Sequence, residues 1–124
     1  MSESLKNSQE FSVVYRNGKS YANKYLIMYI VKNELSRNRI GISVSKKVGN
    51  SVVRHRVTRL IRESYRLNEA TFNDGLDIVV VARAGAKGKE YREINSAMLH
   101  LAKLHHILKE KMIVNDETNT NTLS

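Results

Sequence analysis

Cysteine is absent from the 124 residues, so neither a disulfide framework nor a thiolate metal site can be built. Tryptophan is missing too, and the aromatics amount to six tyrosines and two phenylalanines. No apolar run approaches the roughly 18 residues that span a bilayer. The stretch from Met1 to Glu10 is polar, without the apolar segment of a signal peptide. Together these absences place the chain in the cytoplasm as an expectation. Acidic residues are also few: twelve Asp and Glu stand against 21 Lys and Arg, a formal charge of +9. A balance this basic selects nucleic acid or an anionic membrane surface as partner.

What is present suffices for one modest core, since 41% of residues are hydrophobic. We read residues 1–114 as a single domain that carries this binding surface and 115–124 (NDETNTNTLS) as a polar, disordered tail. Ser8 is positioned to cap a helix over Gln9 to Arg16, with Phe11, Val14 and Tyr15 on one face and Asn17-Gly18 as its stop. Tyr25 to Lys32 (YLIMYIVK) reads as a strand, Asn33 to Asn38 as its turn and Arg39 to Ser45 as a second strand, the two forming a hairpin. A helix from Ser51 to Leu67 follows, with Asn50 as N-cap. Leu76 to Ala82 (LDIVVVA) suits a strand buried on both faces. The last helix is expected over Glu90 to Met112, on the apolar stripe Tyr91, Ile94, Met98, Leu101, Leu104, Leu108 and Met112. The fold class is α+β. A mixed four-stranded sheet packs with three helices in the order α-β-β-β-α-β-α, and the strand–helix–strand unit from Arg39 to Ala82 implies a parallel pair.

The stretch Lys46 to Arg66 carries seven basic residues and one acid, six of the nine net charges in one sixth of the chain. At about 100° per residue, Val53, Val57, Leu60 and Ile61 share one face. His55, Arg59, Arg62 and Arg66 take the opposite face, and Arg54 and Arg56 take the flanks. A merely solvated helix face mixes signs at i, i+4 spacing; this one is nearly all positive and repels itself. Arginine also suits bidentate phosphate contacts better than lysine. The apolar face, made of core-type Val, Leu and Ile, argues against a membrane-surface helix.

Three motifs in order resemble the protein subunit of bacterial ribonuclease P. They are Phe11-x-x-Val14-Tyr15-x-x-Gly18-Lys19-Ser20 with Ala22-Asn23 after it; Gly41-Ile42-Ser43-Val44-Ser45-Lys46-Lys47; and Lys47-Val48-Gly49-Asn50-Ser51-Val52-Val53-Arg54-His55-Arg56 followed by Arg59, Arg62-Glu63 and Arg66. The similarity covers roughly Leu5 to Met112. Ser51, His55 and Thr58 depart from the family's usual Ala, Asn and basic residue. The resemblance implies an accessory subunit of a ribonucleoprotein endonuclease that removes the 5′ leader from precursor tRNA. It further implies hydrolysis by a large RNA subunit that holds most of the required Mg²⁺, with no metal, catalytic residue or obligate protein partner assigned to the chain itself. It implies an unusual, left-handed βαβ crossover.

On that resemblance, Lys46, Lys47, Arg54, His55, Arg56, Arg59, Arg62 and Arg66 are expected to contact the catalytic RNA. Phe11, Tyr15, Tyr29, Lys19, Lys24, Ser43 and Ser45 are expected to line a cleft for the single-stranded leader. The aromatics would serve equally as core, and the Gly41, Ser43, Ser45 face could equally be covered by a helix. His100, His105 and His106 lack carboxylates in register and are not read as a metal site. Asp74 and Asp77 are the only acids near each other in a structured part, too few for a protein-borne nuclease. The competing class is a ribosomal-type structural or assembly protein, which shares the basic helix but not the leader cleft.

Overall fold

The computed structural model describes residues 2–109. Its elements are β1 (Glu3–Ser4), α1 (Ser8–Asn17), β2 (Lys19–Ala22), β3 (Leu26–Lys32), β4 (Arg39–Ser43), α2 (Ser51–Asn68), β5 (Leu76–Ala82) and α3 (Tyr91–Leu104). The sheet is mixed and has five strands, in the order β1-β4-β5-β3-β2. The strand beyond the expected four is the two-residue β1, which lies parallel to β4 at the sheet edge.

Residues that stand opposite one another across a ladder share a face, which sorts the side chains into two layers. Leu26, Met28, Ile40, Ile78 and Val80 point toward α2 and α3 and form the main core with Val57, Ile61, Ile94, Met98 and Leu101. Tyr29, Val31, Val79 and Val81 point the other way, where α1 lies on them through Val14. β5 is buried along nearly its whole length because both layers cover it. Between α2 and α3 the buried Ser64 hydroxyl donates to Asn95 Oδ1 at 2.8 Å, and Asn68 donates to the same oxygen at 2.7 Å. No buried polar atom in that interface is left without a partner.

Several expectations need correction. The segments Leu26–Lys32 and Arg39–Ser43 do not form a hairpin, because β5 lies between them, antiparallel to β3 and parallel to β4. The most apolar strand takes the central position. The six residues 33–38 cross over its end instead of turning back. Asn33 N–H donates to Gly75 O at 2.9 Å, and Asn38 Oδ1 accepts from Leu76 N at 2.9 Å. The hairpin partner of β3 is β2. The cap of α1 is Asn7, one residue before Ser8, its Oδ1 accepting from Glu10 N at 2.9 Å. Gly18 is extended, not left-handed. Glycine is needed there because a Cβ would stand 2.6 Å from Val14 O and 3.1 Å from Ile30 O.

The last helix ends at Leu104, well short of Met112. His106 turns left-handed at φ 57°, and the N–H groups of His106 and Ile107 return to Lys103 O and Ala102 O at 3.0 and 3.1 Å. This paired closure consumes the last carbonyls of the helix. Leu108 then pairs with Phe72. Met112, the boundary at residue 114 and the tail 115–124 lie outside the described residues.

Candidate RNA interface

The α2 helix begins as its sequence dictates: Asn50 Oδ1 accepts from Val53 N at 3.0 Å. Val57 and Ile61 are fully buried against the sheet, which turns His55, Arg59, Arg62 and Arg66 to solvent and leaves Arg54 and Arg56 half-buried on the flanks. Arg66 pairs with Glu63 one turn back, and Arg56 approaches Glu90 at 3.5 Å. Among the described residues no carboxylate pairs with Arg54, Arg59 or Arg62. The first turn of α2 holds no acid, so Arg54 and Arg56 stand near the positive end of the helix dipole. Cations there oppose the dipole. Such a helix start favours an external anion, which answers the amide N–H groups and the side chains at once.

Before α2 the chain makes a tight turn, with Val48 N–H donating to Ser45 O at 3.0 Å. Val48 is buried and anchors the turn, so Lys46 and Lys47 project from it into solvent. Ser45 belongs to this turn, where its Oγ accepts from Lys47 N at 3.3 Å; it does not line the cleft.

The cleft lies on the other face of the sheet, between α1 and the end of β4. It encloses about 550 Å³ and is lined by Lys6, Asn7, Ser8, Phe11, Ser12, Tyr15, Ile42, Ser43 and Val44. The Tyr15 ring meets Tyr29 edge-on at 4.9 Å and is itself 38% exposed, so Tyr29 backs Tyr15 while Tyr15 meets solvent. Phe11 sits over Gly41, where a Cβ would stand 2.6 Å from its Cζ. The small floor at Gly41 is therefore filled by a ring, and only the Ser43 end is open. One further network ties α1 to the sheet. Arg39 donates to both oxygens of buried Asp77, at 2.8 and 2.6 Å, and to Glu10 of α1 at 3.2 Å. Burial alone would raise the Asp77 carboxyl; the Arg39 guanidinium and the Asn33 amide outweigh it and hold the group below the ordinary carboxylate value. Composition and spacing gave no hint of this tie beyond one acid inside an apolar strand.

Besides Ser45, two expected cleft residues are elsewhere. Lys19 stands opposite Ile30, which puts it on the α3 face with its ammonium 5.1 Å from the Tyr21 ring centre. Lys24 lies in the β2–β3 turn beside α3. The three histidines do not converge: His100 meets the Asn23 amide, His105 Nε2 lies 2.8 Å from Met28 O, and His106 ends the helix. Among the described residues, the carboxylates nearest one another are already engaged. Asp77 is engaged by Arg39 and Asn33, Glu10 by Arg39 and the Lys6 N–H, and among the described residues no three ligating side chains gather.

The family model for ribonuclease P matches residues 1–106. The ribonuclease P protein component of Lachnoclostridium phytofermentans is 76% identical over 108 residues, covering 87% of this chain and 93% of that one. Its counterpart from Alkaliphilus metalliredigens is 60% identical over 97 residues, covering 78% and 87%. The solved structure of the RNase P protein of Staphylococcus aureus superimposes with a TM-score of 0.79 at 34% identity, over 86% of this chain and 97% of that one. That of Thermotoga maritima gives 0.75 at 30% identity, over 82% and 96%. With an arginine ridge on one face of the sheet, an aromatic cleft on the other and these relatives across nearly the whole described length, the chain belongs to the ribonuclease P protein family.

Proposed function

We propose that this chain, the protein component of a tRNA-processing ribonuclease, works in the cytoplasm by holding two RNA segments at once. The outward face of α2, with Lys46 and Lys47 before it, takes phosphates of the catalytic RNA subunit. The cleft between α1 and β4 takes the single-stranded 5′ leader of precursor tRNA, with Tyr15 as the stacking face and Ser43 as a polar contact. The observation that carries this reading is the continuity of the two surfaces. β4 lines the cleft through Ile42 and Ser43, Val44 follows it there, and the chain then passes in one turn, residues 45–49, into the basic start of α2. A leader in the cleft therefore emerges beside the RNA held on α2.

Arginines without carboxylate partners displace condensed counterions when they meet phosphates, so binding weakens steeply with salt. Stacking on Tyr15 adds about 1–3 kcal/mol per base without demanding a particular base. Bond cleavage belongs to the RNA subunit with its Mg²⁺. The chain's residues bind and position.

The test is precursor cleavage by the catalytic RNA at low Mg²⁺, with and without the protein, and with the protein alone. Stimulated cleavage at the mature 5′ end, with none from protein alone, is expected. Tight RNA binding without stimulation would overturn the accessory role and leave only structural RNA binding.

A further inference from the structure

A groove of about 680 Å³ opens between the β2–β3 turn and α3, remote from the cleft under α1. One side chain fixes its shape. Asn23 Oδ1 accepts from the N–H groups of Tyr25 and Leu26 at 3.2 and 3.0 Å, and its amide donates to Ala97 O at 3.1 Å, in the middle of α3. The turn is thus clamped to the helix, and Tyr25 is held at the mouth between them.

Two cations lie over that ring and a third lines the groove. The ammonium groups of Lys24 and Lys89 lie 5.2 and 5.4 Å from its centre, and Arg92 lines the facing wall on α3. Among the described residues none of the three has a carboxylate partner. The one acid in the wall, Glu93, is occupied in capping α3, its Oε1 accepting from Glu90 N at 2.9 Å. A half-buried aromatic ring beside three unpaired cations meets both needs of an unpaired nucleotide: a surface for the base and charge for its phosphates. The groove also continues the α2 surface, since Arg56 donates to Lys89 O at 3.3 Å.

We propose that this groove is a second RNA-binding site, taking an unpaired nucleotide and its flanking phosphates from a strand that runs past the Arg56 flank of α2. The proposal rests on the reading that α2 binds RNA, and the test separates the two. The salt dependence of affinity is measured for the Lys24→Ala/Arg92→Ala variant on two ligands: the catalytic RNA subunit binding free protein, and precursor tRNA binding the assembled holoenzyme. The slope of log affinity against log salt should become shallower by roughly 1–2 units on one of them, which identifies the source of the nucleotide. An unchanged slope on both overturns the site. Arg59→Ala/Arg62→Ala is run in parallel. If its slope falls while that of the groove variant does not, the groove fails and the α2 reading stands; if neither moves, the α2 reading fails as well. Tyr25→Leu should weaken the same ligand by about ten-fold with the slope kept. No loss with Tyr25→Leu would reduce the groove to a charged patch and overturn the nucleotide assignment.

Discussion

His106 closes α3 with a backbone angle that side chains with a Cβ adopt at a cost, and the closure is otherwise complete. His106→Gly should therefore stabilise the protein by roughly 0.5–1 kcal/mol, read from the denaturant midpoint. No gain would mean that contacts of the imidazole offset the backbone cost. Its neighbour His105 behaves differently. Burial pushes its pKa down, Lys19 adds to this, and the hydrogen bond to Met28 O opposes it without winning. The folded value thus lies below the unfolded one, about 6.5. Above that value the two states bind protons alike and the stability contribution is complete. As pH falls below it the unfolded chain takes up a proton that the folded imidazole refuses, so stability declines. The melting temperature should fall between pH 7 and pH 5, and more gently in His105→Phe. Parallel curves for the two proteins would assign the acid sensitivity to other groups.

At the scale of elements, the contact between α1 and the sheet decides the shape of the cleft. Gly41→Ala places a methyl where the Phe11 ring now lies, and the ring must swing toward the cleft. Leader-bearing precursor should bind more weakly, mature tRNA unchanged, at a stability cost of about 1–3 kcal/mol. Adding Phe11→Leu should restore part of the lost stability; a double variant no better than the single one would remove Phe11 from the explanation. The elements that the sequence announces clearly are those with one strong period and a good cap. α2 is such an element, with Asn50 before it and Val57 and Ile61 inward, and so is the doubly buried β5. The strand order was not legible. Whether Leu26–Lys32 pairs with Arg39–Ser43 depends on where Leu76–Ala82 goes, and no local pattern encodes an insertion between two strands. The end of α3 was missed because apolar spacing runs on past a left-handed residue that is not glycine. Lys19 was misplaced by one face because its position hangs on register, which a period-two pattern specifies only after the partner strand is known.

Across the whole molecule, unpaired positive charge is concentrated at one end of the sheet: Glu90 and Glu93 are the acids beside it among the described residues, whereas the acids of the other end are interleaved with Lys32, Arg37 and Arg39. Lys24, Lys46, Lys47, Arg54, Arg56, Arg83, Lys87, Lys89 and Arg92 gather where β4 and β5 finish. Glu3, Glu10, Glu34, Glu69, Asp74 and Asp77 lie toward the opposite end. The basic end repels itself in the folded state, and multivalent anions should relieve it. Sulfate should raise the melting temperature more than chloride at equal ionic strength, and a variant lacking Arg59 and Arg62 should gain less. Equal gains from both salts would indicate general screening only. The position of β5 also sets the order in which the molecule can come into being. Among the described residues it is the last strand to be synthesised and the one on which every layer rests. Until residue 82 has left the ribosome, a nascent chain can pair only β2 with β3 and the two residues of β1 with β4. α1 has no Val79 to settle on, and the apolar side of α2 has no sheet. Cleft and ridge thus arise together and late, only once the central strand is in place to carry both.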